Sequence, residues 1–127
     1  HIADSEALTA HNRRLTLVFA FDYGSRHEIA DAARRIATKA AAGEIDPQAV
    51  DAEMVAAHLY LPEMPDPDLV IRSSGEQRIS NFLLWQSAYA EYAFPETLWP
   101  DFGREALAAC VDDYRHRQRR FGGVARS

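Results

Sequence analysis

Between Arg72 and Glu91 the chain reads RSSGEQRISNFLLWQSAYAE. Two guanidinium groups, Arg72 and Arg78, flank Ser74 and Gly75, and Ser80 follows two residues after Arg78. A guanidinium is a planar fork of donors that matches phosphate oxygens in pairs. The serine hydroxyls add donors, and Gly75 lets the backbone come close to a ligand. If Ser80 opens a helix, the first amides and the helix dipole favour an anion as well. These residue types at this spacing make a pyrophosphate cradle. It is not a Walker A loop, because no Gly-Lys-Ser/Thr is present. The same arginines can equally pair with Asp66, Asp68 or Glu76 as surface salt bridges, and residue types alone leave the two readings level. Glu91, set among aromatic and apolar residues, also has two readings: a buried ion-pair partner, which residue types alone favour, or a magnesium ligand.

A cradle of this kind needs elements to hold it. Leu15 to Phe21, LTLVFAF, is a continuous apolar run with β-branched and aromatic members. That pattern predicts a strand buried on both faces, as in a parallel sheet. Ser25 with Glu28 three residues later predicts a capping box opening a helix from Ser25 to Ala42, with Gly43 as its stop. Asp46-Pro47 predicts the start of a further helix with an apolar stripe of Val50, Met54 and Ala57. LPEMPDP must be a loop. DLVIRSS, Asp68 to Ser74, reads as a second short buried strand, so Arg72 to Gly75 lies at a strand's carboxyl end, where open α/β sheets bind ligands. Ile79 to Tyr89 reads as a buried helix, and Glu91 to Phe94 alternates as a short strand that Pro95 ends. A last helix is expected from about Arg104 to Phe121, with Leu107, Cys110, Val111, Tyr114, Gln118 and Phe121 on its apolar side and Gly122 as its cap. The opening segment, HIADSEALTAHNRR, can be a helix arriving from elsewhere, so the chain is read as a fragment or a processed product. Two buried strands do not make a stable parallel sheet by themselves. The expected fold is therefore α/β: part of a mostly parallel sheet with flanking helices, completed by strands not present in this chain.

Composition narrows the function classes. With 127 residues, 47% of them apolar, the chain suits one domain or part of one and can build a real core. No stretch approaches the roughly 20 apolar residues of a membrane-spanning helix, and no leader pattern is read at the start. Cys110 is the single cysteine, so no internal disulfide can form and no Cys/His cluster has zinc spacing. It is expected in the core, and a reducing, cytoplasmic setting fits. A net charge of −5 argues against bulk nucleic-acid binding. Yet Arg115, Arg117, Arg119, Arg120 and Arg126 crowd the last thirteen residues, a local basic end of phosphate size. His27, His58 and His116 are read as solvated and without a role.

These residues resemble a known family. PDPDLVIRSSGEQRISNFLLWQSAYAEYAFPETLWPDF, from Pro65 to Phe102, is similar to the long signature of the cis-prenyltransferases, the undecaprenyl diphosphate synthase family. FDYGSRHEIADA resembles that family's Asn-Tyr-Gly-Gly-Arg segment, with Asp22 and Ser25 as departures. Arg120-Phe121-Gly122 resembles its terminal Arg-x-Gly motif. The likeness covers residues 1–127 as the C-terminal part of a single catalytic domain, roughly the second half of a family member.

The resemblance implies an enzyme that adds isopentenyl diphosphate to an allylic diphosphate, each new double bond cis, to make a polyprenyl diphosphate carrier of the undecaprenyl or decaprenyl type. It implies that Arg72, Arg78, Ile79 and Ser80 hold the isopentenyl diphosphate. Glu91 would bind Mg2+, in family members across a homodimer, and Arg120 and Gly122 would reach the partner subunit's isopentenyl site. Glu76 would help hold the loop, and Phe82 to Tyr92 would form core and subunit contact. The location implied is cytoplasmic, peripheral to the inner membrane face, with transient membrane-surface association for product release and no nucleic-acid partner. The family's catalytic Asp-Gly-Asn segment and its hydrocarbon tunnel are not in this chain, so no catalytic residue is assigned and the 127 residues are expected to be inactive alone. Two other readings stand beside this one: a non-catalytic partner subunit of a heteromeric cis-prenyltransferase, and a phosphate-binding regulatory module.

Overall fold

In a computed structural model, residues 1–117 are described. The elements run α1 (Ile2–Thr9), α2 (Ser25–Ala41), a 3-10 turn (Pro47–Ala49), α3 (Ala52–Ala56), β1 (Leu69–Ile71), β2 (Glu91–Ala93), a second 3-10 turn (Trp99–Asp101) and α4 (Arg104–His116). β1 and β2 pair in parallel, with Leu69 opposite Glu91, Val70 opposite Tyr92 and Ile71 opposite Ala93. The ladder is extended at each end by Glu91 N donating to Asp68 O and Arg72 N donating to Ala93 O, both at 2.9 Å. α4 packs on β2, and α2 packs on α3. The core is small: Ala32 and Ile36 of α2, Leu59, Ala93 of β2, and Cys110 of α4. The expected α/β class, parallel strands flanked by helices, is what forms, and Cys110 is in the core as expected.

Three elements differ from expectation. Leu15–Phe21 forms no strand, and Leu15 and Phe21 are 80% and 81% exposed. A strand buried on both faces needs partners on both edges and helices above and below. Among the described residues nothing supplies them. Ile79–Tyr89 is not a helix but a series of turns. Ser80, Asn81 and Leu83 have φ of 45°, 65° and 47°, and left-handed residues interrupt an α-helical ladder. Ser80 therefore opens no helix, and the helix-terminus contribution to anion binding does not arise there. Finally, Asp46-Pro47 starts only a 3-10 turn, capped by the Asp46 side chain. The helix begins later, with the Asp51 carboxylate accepting from Met54 N at 2.8 Å.

At its other end, α4 stops at His116, where Arg117 turns extended (ψ 139°). The rest of the expected helix to Phe121, with Gln118 and the Gly122 cap, lies outside the described residues. α2 ends at Ala41, one residue short of the expected Ala42, and Gly43 follows with φ of 75° as the expected stop. The opening helix is formed as α1, with no residue buried.

Candidate functional site

The loop that follows β1 is built by backbone hydrogen bonds. Ser74 and Gly75 both take left-handed φ, 71° and 66°. Their amides are directed onto the segment after β2: Ser74 N donates to Thr97 O at 2.8 Å and Gly75 N to Pro95 O at 2.9 Å. The turn at Ser74-Gly75 is thus pinned to the far end of the neighbouring strand, and Arg72 and Ser73 enter it from β1. The Arg72 guanidinium is half-buried and makes no hydrogen bond or ion pair to another described residue. Arg78 does: its Nη1 pairs with the Glu76 carboxylate, the arginine exposed and the glutamate half-buried. The salt-bridge alternative is therefore realised for Arg78 and not for Arg72. Ser80 is exposed, and Ile79 is half-buried.

What holds the second half of the loop is α2. No side chain within α2's own flanking sequence caps its start, where Gly24 is the N-cap. Asn81, 55 residues further on, does so instead, its Oδ1 accepting from Arg26 N at 2.8 Å. Asn81 O accepts from Ser25 N at 2.8 Å, and Ser25 Oγ accepts from Leu84 N at 2.9 Å. The fit is tight. A methyl group on Gly24 would lie 2.7 Å from Asn81 Nδ2. Hence the expected capping box does not form. Ser25 is fully buried and spends its hydroxyl on Leu84, because the half-buried loop offers an amide that needs an acceptor.

Glu28, 1% exposed, extends the clamp. Its Oε1 accepts from Tyr60 N at 2.9 Å and from Gln86 Nε2 at 3.1 Å, and its Oε2 accepts from the Tyr23 hydroxyl. Burial, and then the hydrogen bond to Glu28, push the Tyr23 hydroxyl up to about 12. Tyr23 also meets Phe82 edge to face at 5.7 Å between centroids. Beside this network the Tyr60 hydroxyl donates to Asp31 at 2.5 Å, which holds the Asp31 carboxyl below its ordinary range. Gln86 Oε1 is buried with no hydrogen-bond partner among the described residues.

Glu91 lies elsewhere. The parallel register sets it opposite Leu69, three residues before Arg72, so the two are offset by roughly 10 Å along the strand direction. One chain does not bring Glu91 to the Arg72 end of the sheet. Glu91 Oε2 accepts instead from Arg117 Nη1 at 2.9 Å, and Arg117 is shared with Asp113, Nη2 to Oδ2 at 2.5 Å and Nε to Oδ2 at 3.1 Å. Arg117 Nη1 also donates to Tyr92 O at 2.9 Å. Glu91, and then Asp113, raise the Arg117 pKa above its ordinary value. Arg120 and Gly122 lie outside the described residues. They follow Arg117 by three and five positions in the sequence.

The second Glu91 oxygen, Oε1, has no described hydrogen-bond partner, and among the described residues no three His, Cys, Asp or Glu side chains converge as a ligand set. That donor set does not fit an all-protein metal cage. It fits a magnesium ion that takes one carboxylate and fills its octahedron with water and phosphate oxygens.

Asn81, Ser25, Glu28 and Arg117 were not singled out as site residues by sequence reasoning. An asparagine directly after Ser80, a residue type that tolerates left-handed φ, was the available signal for the turn. For Arg117 it was the acid four residues earlier, Asp113, in a segment read as helical.

The family model described as "putative undecaprenyl diphosphate synthase" matches residues 1–122. The chain is 54% identical over 121 residues to isoprenyl transferase 2 of Bradyrhizobium diazoefficiens, covering 95% of this chain and 48% of that protein. It is 53% identical over 123 residues to the trans,polycis-polyprenyl diphosphate synthase ((2Z,6E)-farnesyl diphosphate specific) of Thermobifida fusca, covering 97% of this chain and 44% of that one. Among solved structures, lavandulyl diphosphate synthase from Lavandula x intermedia, in complex with dimethylallyl diphosphate, superposes with a TM-score of 0.89 at 39% identity, over 96% of this chain and 52% of that one. The chain thus spans about half the length of the curated relatives it matches. On the strength of the family match and these identities, the chain belongs to the undecaprenyl diphosphate synthase family of prenyltransferases.

Proposed function

We propose that this chain is the isopentenyl-diphosphate-binding and subunit-contacting part of a cis-prenyl diphosphate synthase, the C-terminal portion of one catalytic domain. The observation that carries the reading is identity above 50% to isoprenyl transferases across nearly the whole chain. The Arg72 guanidinium at the carboxyl end of β1, without an ion-pair or hydrogen-bond partner among the described residues, supports it. In this reading Arg72 and Arg78 grip the diphosphate of isopentenyl diphosphate, with Ser80 and Ile79 beside them. Arg78 exchanges Glu76 for the ligand, a surface pair that costs little to break. Diphosphate oxygens match the guanidinium forks, and the turn at Ser74-Gly75 holds them in place without waiting for the ligand.

Glu91 is the candidate magnesium ligand through Oε1, which has no hydrogen-bond partner among the described residues. Bound there, Mg2+ supplies charge neutralisation at the diphosphates, which favours departure of the allylic diphosphate with carbocation character. Isopentenyl diphosphate then attacks and loses a proton. The offset between Glu91 and Arg72 supports a homodimer in which Glu91, Arg120 and Gly122 of one subunit serve the loop of the other. The same reading places the enzyme in the cytoplasm, meeting the inner membrane face to release product. Among the described residues no helix is long and apolar enough to cross a membrane.

The test is a chimera in which the segment of the Bradyrhizobium relative not covered by this chain is joined to it. The chimera is expected to condense isopentenyl diphosphate with farnesyl diphosphate in the presence of magnesium, while the 127 residues alone do not. A folded chimera that neither turns over nor binds isopentenyl diphosphate in preference to nucleotides would overturn the reading. So would turnover by the 127 residues alone, as far as the division of labour is concerned.

A further inference from the structure

Glu91, Arg117 and Asp113 form a chain of acid, base and acid that ties β2 to the end of α4. Glu91 and Arg117 are each about one third exposed (31% and 32%), so neither is fully screened by water. Two features of the arrangement matter. Arg117 Nη1 is fixed twice, by the Glu91 carboxylate and by Tyr92 O at 2.9 Å, so its position follows the backbone of β2. It also binds only Oε2, and Oε1 has no hydrogen-bond partner among the described residues.

We propose that Arg117 is the positioning residue of Glu91: it seizes one carboxylate oxygen and so presents the other to a divalent cation. The proposal rests on Glu91 being the metal-binding carboxylate. A guanidinium this close has two opposed effects on a cation: it repels the added charge, and it removes rotamer freedom from the ligand. Asp113 decides between them. It shares the guanidinium through Nε and Nη2, so the three formal charges leave one net negative, and the repulsion is offset locally. Orientation then dominates. Outer-shell partners that fix a ligand typically contribute about 10–100-fold in metal affinity or activity. With the Glu91 pair partly in water, the low end applies.

The test uses the chimera described above, with Mn2+ as the probe and its binding followed by electron paramagnetic resonance in the presence of isopentenyl diphosphate. R117A is expected to weaken Mn2+ binding about tenfold, and R117K, which keeps one donor, by less. The readout that a merely structural role would not move is the double mutant: in an E91A background, R117A should add no further loss. Circular dichroism confirms that each variant is folded. If E91A weakens binding and R117A does not, Arg117 has no positioning role while the Glu91 reading stands. If R117A tightens binding, the guanidinium competes with the cation and the proposal is overturned. If neither variant changes binding, Glu91 is not the metal-binding carboxylate and the inference falls with it.

Discussion

Removing the Glu28 carboxylate should destabilise the domain more than removing any exposed charge. Glu28→Ala deprives Tyr60 N, Gln86 Nε2 and the Tyr23 hydroxyl of their acceptor at one stroke. Hydrogen bonds to charged groups contribute about 1.5–3 kcal/mol each. Tyr23 is half-buried, so water can replace part of its bond. Taking the low end for the other two gives about 3 kcal/mol. Glu28→Gln keeps one carbonyl oxygen, which can still accept from Tyr60 N and Gln86 Nε2, and should cost about 1 kcal/mol. Urea unfolding of the chimera, followed by fluorescence of Trp85 next to Gln86, reads both. With a slope of about 1.5 kcal/mol/M, Glu28→Ala should lower the midpoint by about 2 M and Glu28→Gln by less than half of that. An Ala midpoint close to wild type would show that the three donors find other partners. Equal losses for Ala and Gln would show that the charge, and not the number of acceptors, is what the network needs.

Other outcomes follow from the same geometry. Asn81→Ala removes the acceptor for Arg26 N and leaves an alanine at φ of 65°. It should cost about 1–2 kcal/mol in the same urea assay, and Gly24→Ala, which crowds Asn81 Nδ2, should lose stability without removing any hydrogen-bonding group. Raising the pH should weaken the fold between about 10 and 12: the native Tyr23 keeps its proton up to about 12, whereas the unfolded chain loses it near 10, so unfolding releases a proton and is favoured by alkali. Tyr23→Phe should show a smaller decline of the urea midpoint over that window. Arg72→Ala or Arg78→Ala should raise KM for isopentenyl diphosphate, each by the roughly 1.5–3 kcal/mol of a lost charged hydrogen bond. Wild-type steady-state constants for both variants would remove the phosphate role.

Local patterns in the sequence are read correctly where the chain decides for itself. The alternation at Glu91–Phe94, the apolar run at Leu69–Ile71, and the three- and four-residue spacing of Ala32 and Ile36 all became the elements expected of them. The readings that failed depended on distant residues. Ile79–Tyr89 has the apolar density of a helix, and what bends it is contact with the start of α2, 55 positions earlier. Ser25 and Glu28 fit a capping box, yet each side chain is drawn away by partners 32 to 59 residues off. Glu91 and Arg117 are 26 residues apart and meet only because α4 packs on β2. Of the site itself, the arginine loop is visible as residue types, its proposed use for isopentenyl diphosphate comes from family resemblance, and the clamp that shapes it is not visible at all.

The bare segment Leu15–Phe21 has a practical corollary. Seven consecutive residues without a charge, a proline or a glycine, rich in β-branched and aromatic side chains, have the makeup of a steric-zipper spine. Wherever the polypeptide is produced with that stretch uncovered, identical copies can stack edge to edge into fibrils. A single lysine at Leu17 or Phe19 would act as a gatekeeper against that outcome.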